Sequence, residues 1–243
     1  MGELQTNLLV EKLEQTLRSV GNGERAVGAK AYLKSDLEFI GVAAKPLRGV
    51  ARSFLADHPE IDRKTLLGLV QALWQRPVFE LKAVAVALLE RRKRDLVTKD
   101  LVLVEDLLRR SHTWALVDWL CTKVAAPLFE RNPAMAATVL EPWSRDGDFW
   151  VRRASMLAQL PALRAGRGDF DLFASFASRM IGEKEFFIRK AIGWVLRDVS
   201  KKRPELTYRF LLEHVDEVSG LTYREGSKYL SEERQEMLSR ARR

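Results

Sequence analysis

Four five-residue stretches of this chain share one pattern: Phe79-Glu-Leu-Lys-Ala83, Trp114-Ala-Leu-Val-Asp118, Trp150-Val-Arg-Arg-Ala154 and Phe187-Ile-Arg-Lys-Ala191. Each opens on an aromatic residue. Three close on Ala and the second closes on Asp118. The openings lie 35, 36 and 37 residues apart (79 to 114, 114 to 150, 150 to 187). A near-constant period of this size marks a helical repeat, in which stacked helix pairs share a continuous core. Ala at the recurring position lets neighbouring helices approach closely. A carboxylate there costs stability unless it is paired or in use, so Asp118 is the residue to explain.

Strand signals are nearly absent, and most of the chain reads at the helical period. Helices are expected over 4–17, 45–55, 64–74, 78–91, 100–110, 114–130, 134–143, 150–160, 170–181, 186–202, 204–213 and 223–240. Asn132-Pro133 reads as an N-cap followed by a first-turn proline, and Pro161 as a helix stop. No linker is long enough to split the chain, so residues 1–243 are expected to form a single domain. The expected fold is all-α, a solenoid of HEAT-like helical repeats whose inner wall is an extended concave surface.

Lys plus Arg number 41 against 33 Asp plus Glu, a net charge of +8. That balance favours a polyanionic partner, with nucleic acid first. One cysteine, Cys121, excludes an internal disulfide. His58, His112 and His214 are far apart and make no zinc pattern with it. Gly-rich phosphate loops, GxSxG and HExxH are absent. No cofactor and no metal are called for. No secretory signal is read, and no apolar run approaches 18 residues. Met1 to Thr6 formally fits a myristoylation pattern, read here as chance. A monomeric cytoplasmic protein is expected, nucleoid-associated if bacterial.

Lys82, Arg153 and Lys190 hold the same place in three of the four stretches, where the remaining one has Val117. Such a column of cations suits a phosphate backbone, although ordinary solvated charge explains any one of them. Trp114 and Asp118 are spaced i, i+4 and so share a helical face. Lys190 and Trp194 repeat that spacing. Indole faces and a carboxylate both attract cations. With Arg153 they would suit a substrate that is cationic, or becomes so, beside a phosphate. The alternative is that the tryptophans are core and Asp118 pairs with Lys123 or an arginine.

The segment Glu183-Lys-Glu-Phe-Phe-Ile-Arg-Lys-Ala-Ile-Gly-Trp-Val-Leu-Arg-Asp198 resembles a signature of the AlkD-like DNA alkylation repair glycosylases, which are built from HEAT-like repeats. The similarity extends more loosely from about Tyr32 to about Tyr229. The resemblance implies that Asp118 is the catalytic carboxylate, with Trp114 and Trp194 as aromatic partners. It places the family's arginine on Arg153 and an N-terminal tyrosine on Tyr32. Thr113 and Ala115 depart from the family, whose members carry Trp and an acid there, which bears on substrate range. The implied activity is hydrolysis of the N-glycosidic bond of N3- or N7-alkylated purines in double-stranded DNA, by a monofunctional glycosylase that does not flip the base. A catalytically inactive DNA-structure-binding protein and a protein-interaction scaffold are the competing functions.

Overall fold

A computed structural model describes residues 3–242; the Met1-Gly2 start of the myristoylation pattern lies outside them. Among these residues the chain is all-α, a helical repeat protein without strands, and one isolated parallel bridge joins Glu38 to Val78. No helix among them is long and apolar enough to cross a membrane.

The chain divides into two compact units, Met1–Val124 and Ala125–Arg243. The first holds α1 (Glu3–Ser19), α2 (Gly23–Leu33), α3 (Ala44–Asp57), α4 (Arg63–Gln75), α5 (Phe79–Arg91), α6 (Leu101–Arg109) and α7 (Trp114–Trp119). α5 is its centre, packed by α3, α4 and α7. Its residues are buried without a break from Glu80 to Leu89, as expected of a helix apolar on every side. Leu13, Leu17, Leu66, Leu69 and Leu73 complete the core around it.

The second unit holds α8 (Ala126–Arg131), α9 (Ala134–Ser144), α10 (Phe149–Leu157), α11 (Leu160–Arg164), α12 (Phe170–Arg179), α13 (Phe186–Ser200), α14 (Pro204–Glu213), α15 (Gly220–Ser227) and α16 (Glu232–Ala241). α13 takes the central place, packed by α10, α11, α14 and α15. The border between the units falls inside a π-helical turn, Leu120–Ala125. A border within helix carries no Gly, Pro or polar linker, so composition does not mark it.

All four repeat stretches mark helix starts. Phe79 and Trp114 open α5 and α7; Trp150 and Phe187 stand second in α10 and α13. Ala83, Ala154 and Ala191 are fully buried, whereas Asp118 is half-exposed. Access to solvent relieves the desolvation cost that a carboxylate would meet at a sealed Ala position.

The structure corrects several sequence expectations. Pro161 does not stop a helix; it sits in the first turn of α11, where a missing N–H is harmless. The expected helix over 114–130 contains the π turn. The expected helix over 223–240 is two helices, broken at 228–231. The helix after Asn132 starts at Ala134 with no side-chain cap. α2 was not expected at all, because no residue in it is buried and it shows no apolar stripe.

α2 is held at its ends instead. The Asn22 side chain accepts the Arg25 N–H at 2.8 Å, and Lys34 closes the helix in the left-handed region at φ 48°. Beyond it, the buried carboxylate of Glu80 accepts the backbone N–H groups of Ile40, Gly41 and Val42 at 2.9, 2.7 and 3.2 Å. Gly41 has φ +83°, and a Cβ there would lie 2.0 Å from the Asn22 carbonyl oxygen. Only glycine permits this approach.

Candidate functional site

Trp114 and Asp118 occupy successive turns of α7, both half-exposed. The lead-in is tightly built. Ser111 Oγ donates to the Leu107 carbonyl at 2.8 Å, and His112 adopts φ 57°. Thr113 is buried and its Oγ1 accepts the Ala115 N–H at 3.5 Å, a long N-cap bond. A tryptophan at 113 could not cap in this way, so Thr113 has a local structural role at the start of α7.

Tyr32 is well exposed on α2, and its ring meets Trp114 edge to face with centroids 5.7 Å apart. Such a contact leaves the π face of one ring open for other contacts. After Asp118 the helix widens into the π turn, where the Thr122 hydroxyl donates to the Asp118 carbonyl at 2.7 Å. π turns inside helices are frequent at functional sites. Trp119 is anchored as well. Its indole N–H donates to Glu90 at 2.8 Å, the same oxygen accepts Arg48 at 2.8 Å, and the Arg48 guanidinium lies 4.4 Å from the Trp119 ring centroid.

In the second unit Trp194 is half-exposed on α13, and its indole N–H donates to Asp198 at 3.2 Å. Asp198 is buried and also accepts Arg164 Nε at 2.7 Å and Lys201 at 3.2 Å. Burial pushes its carboxyl up, but the hydrogen bonds and charges of Arg164 and Lys201 outweigh that and hold it below the usual carboxylate range.

The three cations of the repeat column do not form an exposed row. Lys82 is 3% exposed and donates to the carbonyls of Trp74 at 2.9 Å and Arg110 at 3.0 Å. Burial, with the nearby Arg110 charge, pushes its ammonium down to about 8. It joins the end of α4 to the turn that precedes α7. Arg153 is buried on α10 and donates to the Phe187 carbonyl at 2.5 Å, with its guanidinium 5.8 Å from the Phe187 ring centroid. Lys190 is half-exposed and paired with Glu225 at 2.6 Å. Hydrogen bonding from Lys190, joined by Arg197, keeps the Glu225 carboxyl below its ordinary value despite burial. The repeat position that collects cations is thus one where long side chains reach backbone or carboxylate partners.

Of the sequence-selected residues, the first unit brings Tyr32, Trp114 and Asp118 together, with Lys82 in its core. Arg153, Lys190 and Trp194 belong to the second. Sequence reading passed over Glu90, Arg48 and Asp198. Asp198 carried a usable signal: it stands one turn after Trp194 at the end of the signature segment.

No curated protein matches the chain. The sequence profile of the DNA alkylation repair enzyme family matches residues 13–230. The chain belongs to the DNA alkylation repair enzyme family. A solved structure described as a predicted DNA alkylation repair enzyme from Enterococcus faecalis is 27% identical, with a TM-score of 0.80 over 87% of this chain and 97% of that one. AlkD2 from Streptococcus mutans is 18% identical, with a TM-score of 0.65 over 93% and 99%. The alkylpurine DNA glycosylase AlkC from Pseudomonas fluorescens, bound to DNA containing an abasic site analogue, is 17% identical, with a TM-score of 0.55 over 95% and 65%. These last two share the fold. Among the described residues no group of His, Cys, Asp and Glu side chains could hold a metal ion.

Proposed function

We propose that this member of the family is a monofunctional DNA glycosylase that hydrolyses the N-glycosidic bond of N3- or N7-alkylated purines in duplex DNA without flipping the base. The observation that carries this reading is the half-exposed carboxylate of Asp118, one turn from Trp114, at a repeat position that is otherwise buried Ala.

Alkylation makes the purine cationic and a good leaving group, and its departure leaves an oxocarbenium-like sugar, as in glycoside hydrolysis generally. Asp118 stabilises that cation and positions the attacking water. At about 4 Å and an effective dielectric near 20 a charge pair is worth roughly 4 kcal/mol. At about 1.4 kcal/mol per factor of ten, this supplies about a thousandfold in rate. The Trp114 face packs against the deoxyribose and adds a cation–π contribution, with Tyr32 bracing the ring from its edge. Family resemblance assigns Trp194 to the same substrate, with Asp198 holding its indole. The same resemblance assigns Arg153 to the DNA. In this chain Arg153 acts from a buried position, fixing the start of α13 through the Phe187 carbonyl. The protein works on alkylated double-stranded DNA as a monomer.

The deciding experiment is incubation of the protein with methylated duplex DNA, followed by chromatography of the released bases. Free N7-methylguanine and N3-methyladenine are expected. Tight binding to the duplex with no base released would leave the inactive DNA-binding reading in its place.

A further inference from the structure

Asp118 and Trp119 are neighbours in the chain, so on a helix their side chains leave the axis about 100° apart. Whatever fixes the Trp119 ring therefore helps to fix the rotation of the turn that presents Asp118. The backbone of α7 is poorly placed to do this by itself. It lasts 6 residues and passes at Leu120 into the π turn. A helix this short is marginal without tertiary contacts, and π turns are places where a helix kinks.

The ring is fixed from outside α7. Its indole N–H donates to Glu90 Oε2 at 2.8 Å, and Arg48 Nη1 donates to the same oxygen at 2.8 Å. The Arg48 guanidinium lies 4.4 Å from the Trp119 ring centroid, which closes the set. Three helices meet in it: α3 through Arg48, α5 through Glu90 and α7 through Trp119. Glu90 gives the set its fixed point. It directly follows the run from Glu80 to Leu89 that is buried without a break in the central helix of the unit, and its side chain is only 19% exposed. Hydrogen bonds to a carboxylate are also roughly twice as strong as neutral ones.

Charge balance is the rival role for Glu90. A recess of about 320 Å³ is lined by Arg48, Ala87, Glu90, Arg91 and Lys93, which sets the carboxylate among three cations. A group needed only to offset that charge would serve without a directed bond. The indole bond gives the carboxylate a direction, and it ends on the residue after Asp118.

We propose that Glu90 is a positioning residue for base release: through the Trp119 indole it holds the turn that aims Asp118. Its part in the reaction rests on the glycosylase reading; the anchor itself does not.

The test compares Glu90→Ala, Glu90→Gln and Trp119→Phe with the unmodified protein. Single-turnover release of N7-methylguanine is measured with protein in saturating excess over methylated duplex, so that a change in affinity does not enter. Glu90→Ala and Trp119→Phe each remove the indole bond and are expected to slow release at least about tenfold, the scale on which a misplaced catalytic group is felt. Glu90→Gln keeps a carbonyl acceptor at the same reach and is expected to stay within about threefold. The double variant Glu90→Ala, Trp119→Phe should be no slower than the slower single, as for two halves of one contact. An unchanged rate in Glu90→Ala overturns the proposal. So does an equal loss in Glu90→Gln, which would make the charge the active part, or losses that multiply in the double variant.

The geometry is read separately, without turnover. The Trp119 indole N–H and Asp118 carboxyl carbon resonances, assigned by substitution, are both expected to shift in Glu90→Ala and to shift less in Glu90→Gln. If the unmodified protein releases no base while both resonances shift, the glycosylase reading falls and the anchor stands. If it releases base while the Asp118 resonance keeps its place, the anchor falls and the glycosylase reading stands.

Discussion

The helix that begins at Trp114 and the helix that begins at Phe186 carry the same repeat pattern and are finished in opposite ways. α13 runs for 15 residues, and its repeat Ala position is sealed. Its Ala191 is fully buried, Asp198 is enclosed by Arg164, Lys201 and an indole N–H, and Lys190 and Arg197 close on Glu225. α7 lasts only 6 residues before widening into the π turn. Its counterpart of Ala191 is the half-exposed Asp118. The shared pattern sets where each helix starts; what stands at the Ala position decides whether that position is closed by packing or open to solvent.

The sharpest way to break the contrast is at Asp118. Asp118→Asn is expected to lower release of N7-methylguanine by about a thousandfold, the value of one close charge pair, while affinity for the duplex stays within a few-fold. Single-turnover base release with a parallel binding titration checks both. Full activity in the variant would remove α7 from the chemistry and leave the two helices equivalent.

The next effect is on stability and follows pH. Lys82 has its ammonium lowered to about 8, against about 10.4 in an unfolded chain. Between those values the unfolded state binds the extra proton, so stability rises with pH. The gain has an upper bound of about 3 kcal/mol, and it should be missing in Lys82→Met. Urea denaturation at pH 8 and pH 10 measures it, and a Lys82 side-chain NMR titration centred near 10.4 would refute it.

In α13, Asp198→Asn is expected to cost about 2 kcal/mol, a typical loss for charge-assisted hydrogen bonds. The melting temperature should fall by about 5 °C. The Asp198 carboxyl is lowered in the folded state, so its contribution is complete above an ordinary value near 4 and is lost as pH falls through the folded value. The variant's stability should therefore respond less to acid. The indole N–H resonance of Trp194 should move in the same variant, a sign of lost hydrogen bonding that general destabilisation does not mimic. The smallest effect is at the entrance of α7. Thr113→Ala removes a long cap bond and should cost about 0.5 to 1 kcal/mol, readable as a small drop in melting temperature.

Much of the fold was legible because it rests on period. Aromatic residues about 36 positions apart foretold the starts of four helices, and the apolar runs foretold most of the others. What escaped detection does not depend on apolar period. α2 has caps and no core, and the π turn inside the 114–130 run leaves the hydrophobic pattern unchanged. The arrangement of the candidate residues was legible in part. Asp118 stood out as a misfit, and its spacing from Trp114 survives in the structure. Spacing also gathered Lys82, Arg153 and Lys190, but it could not say where long flexible side chains end. They end on the Trp74 and Arg110 carbonyls, the Phe187 carbonyl and Glu225. Conversely, Arg91 comes from a different stretch than Arg48 and Arg52, and only folding makes it their neighbour.

Fastened at its two ends and buried nowhere, α2 behaves like the handle of a pail. Almost any of its side chains can be exchanged without disturbing the fold, but its length cannot drift. One inserted residue would swing Tyr32 by about 100° around the handle and carry the phenol away from Trp114. A census of relatives should therefore find this segment free in spelling and fixed in number of letters.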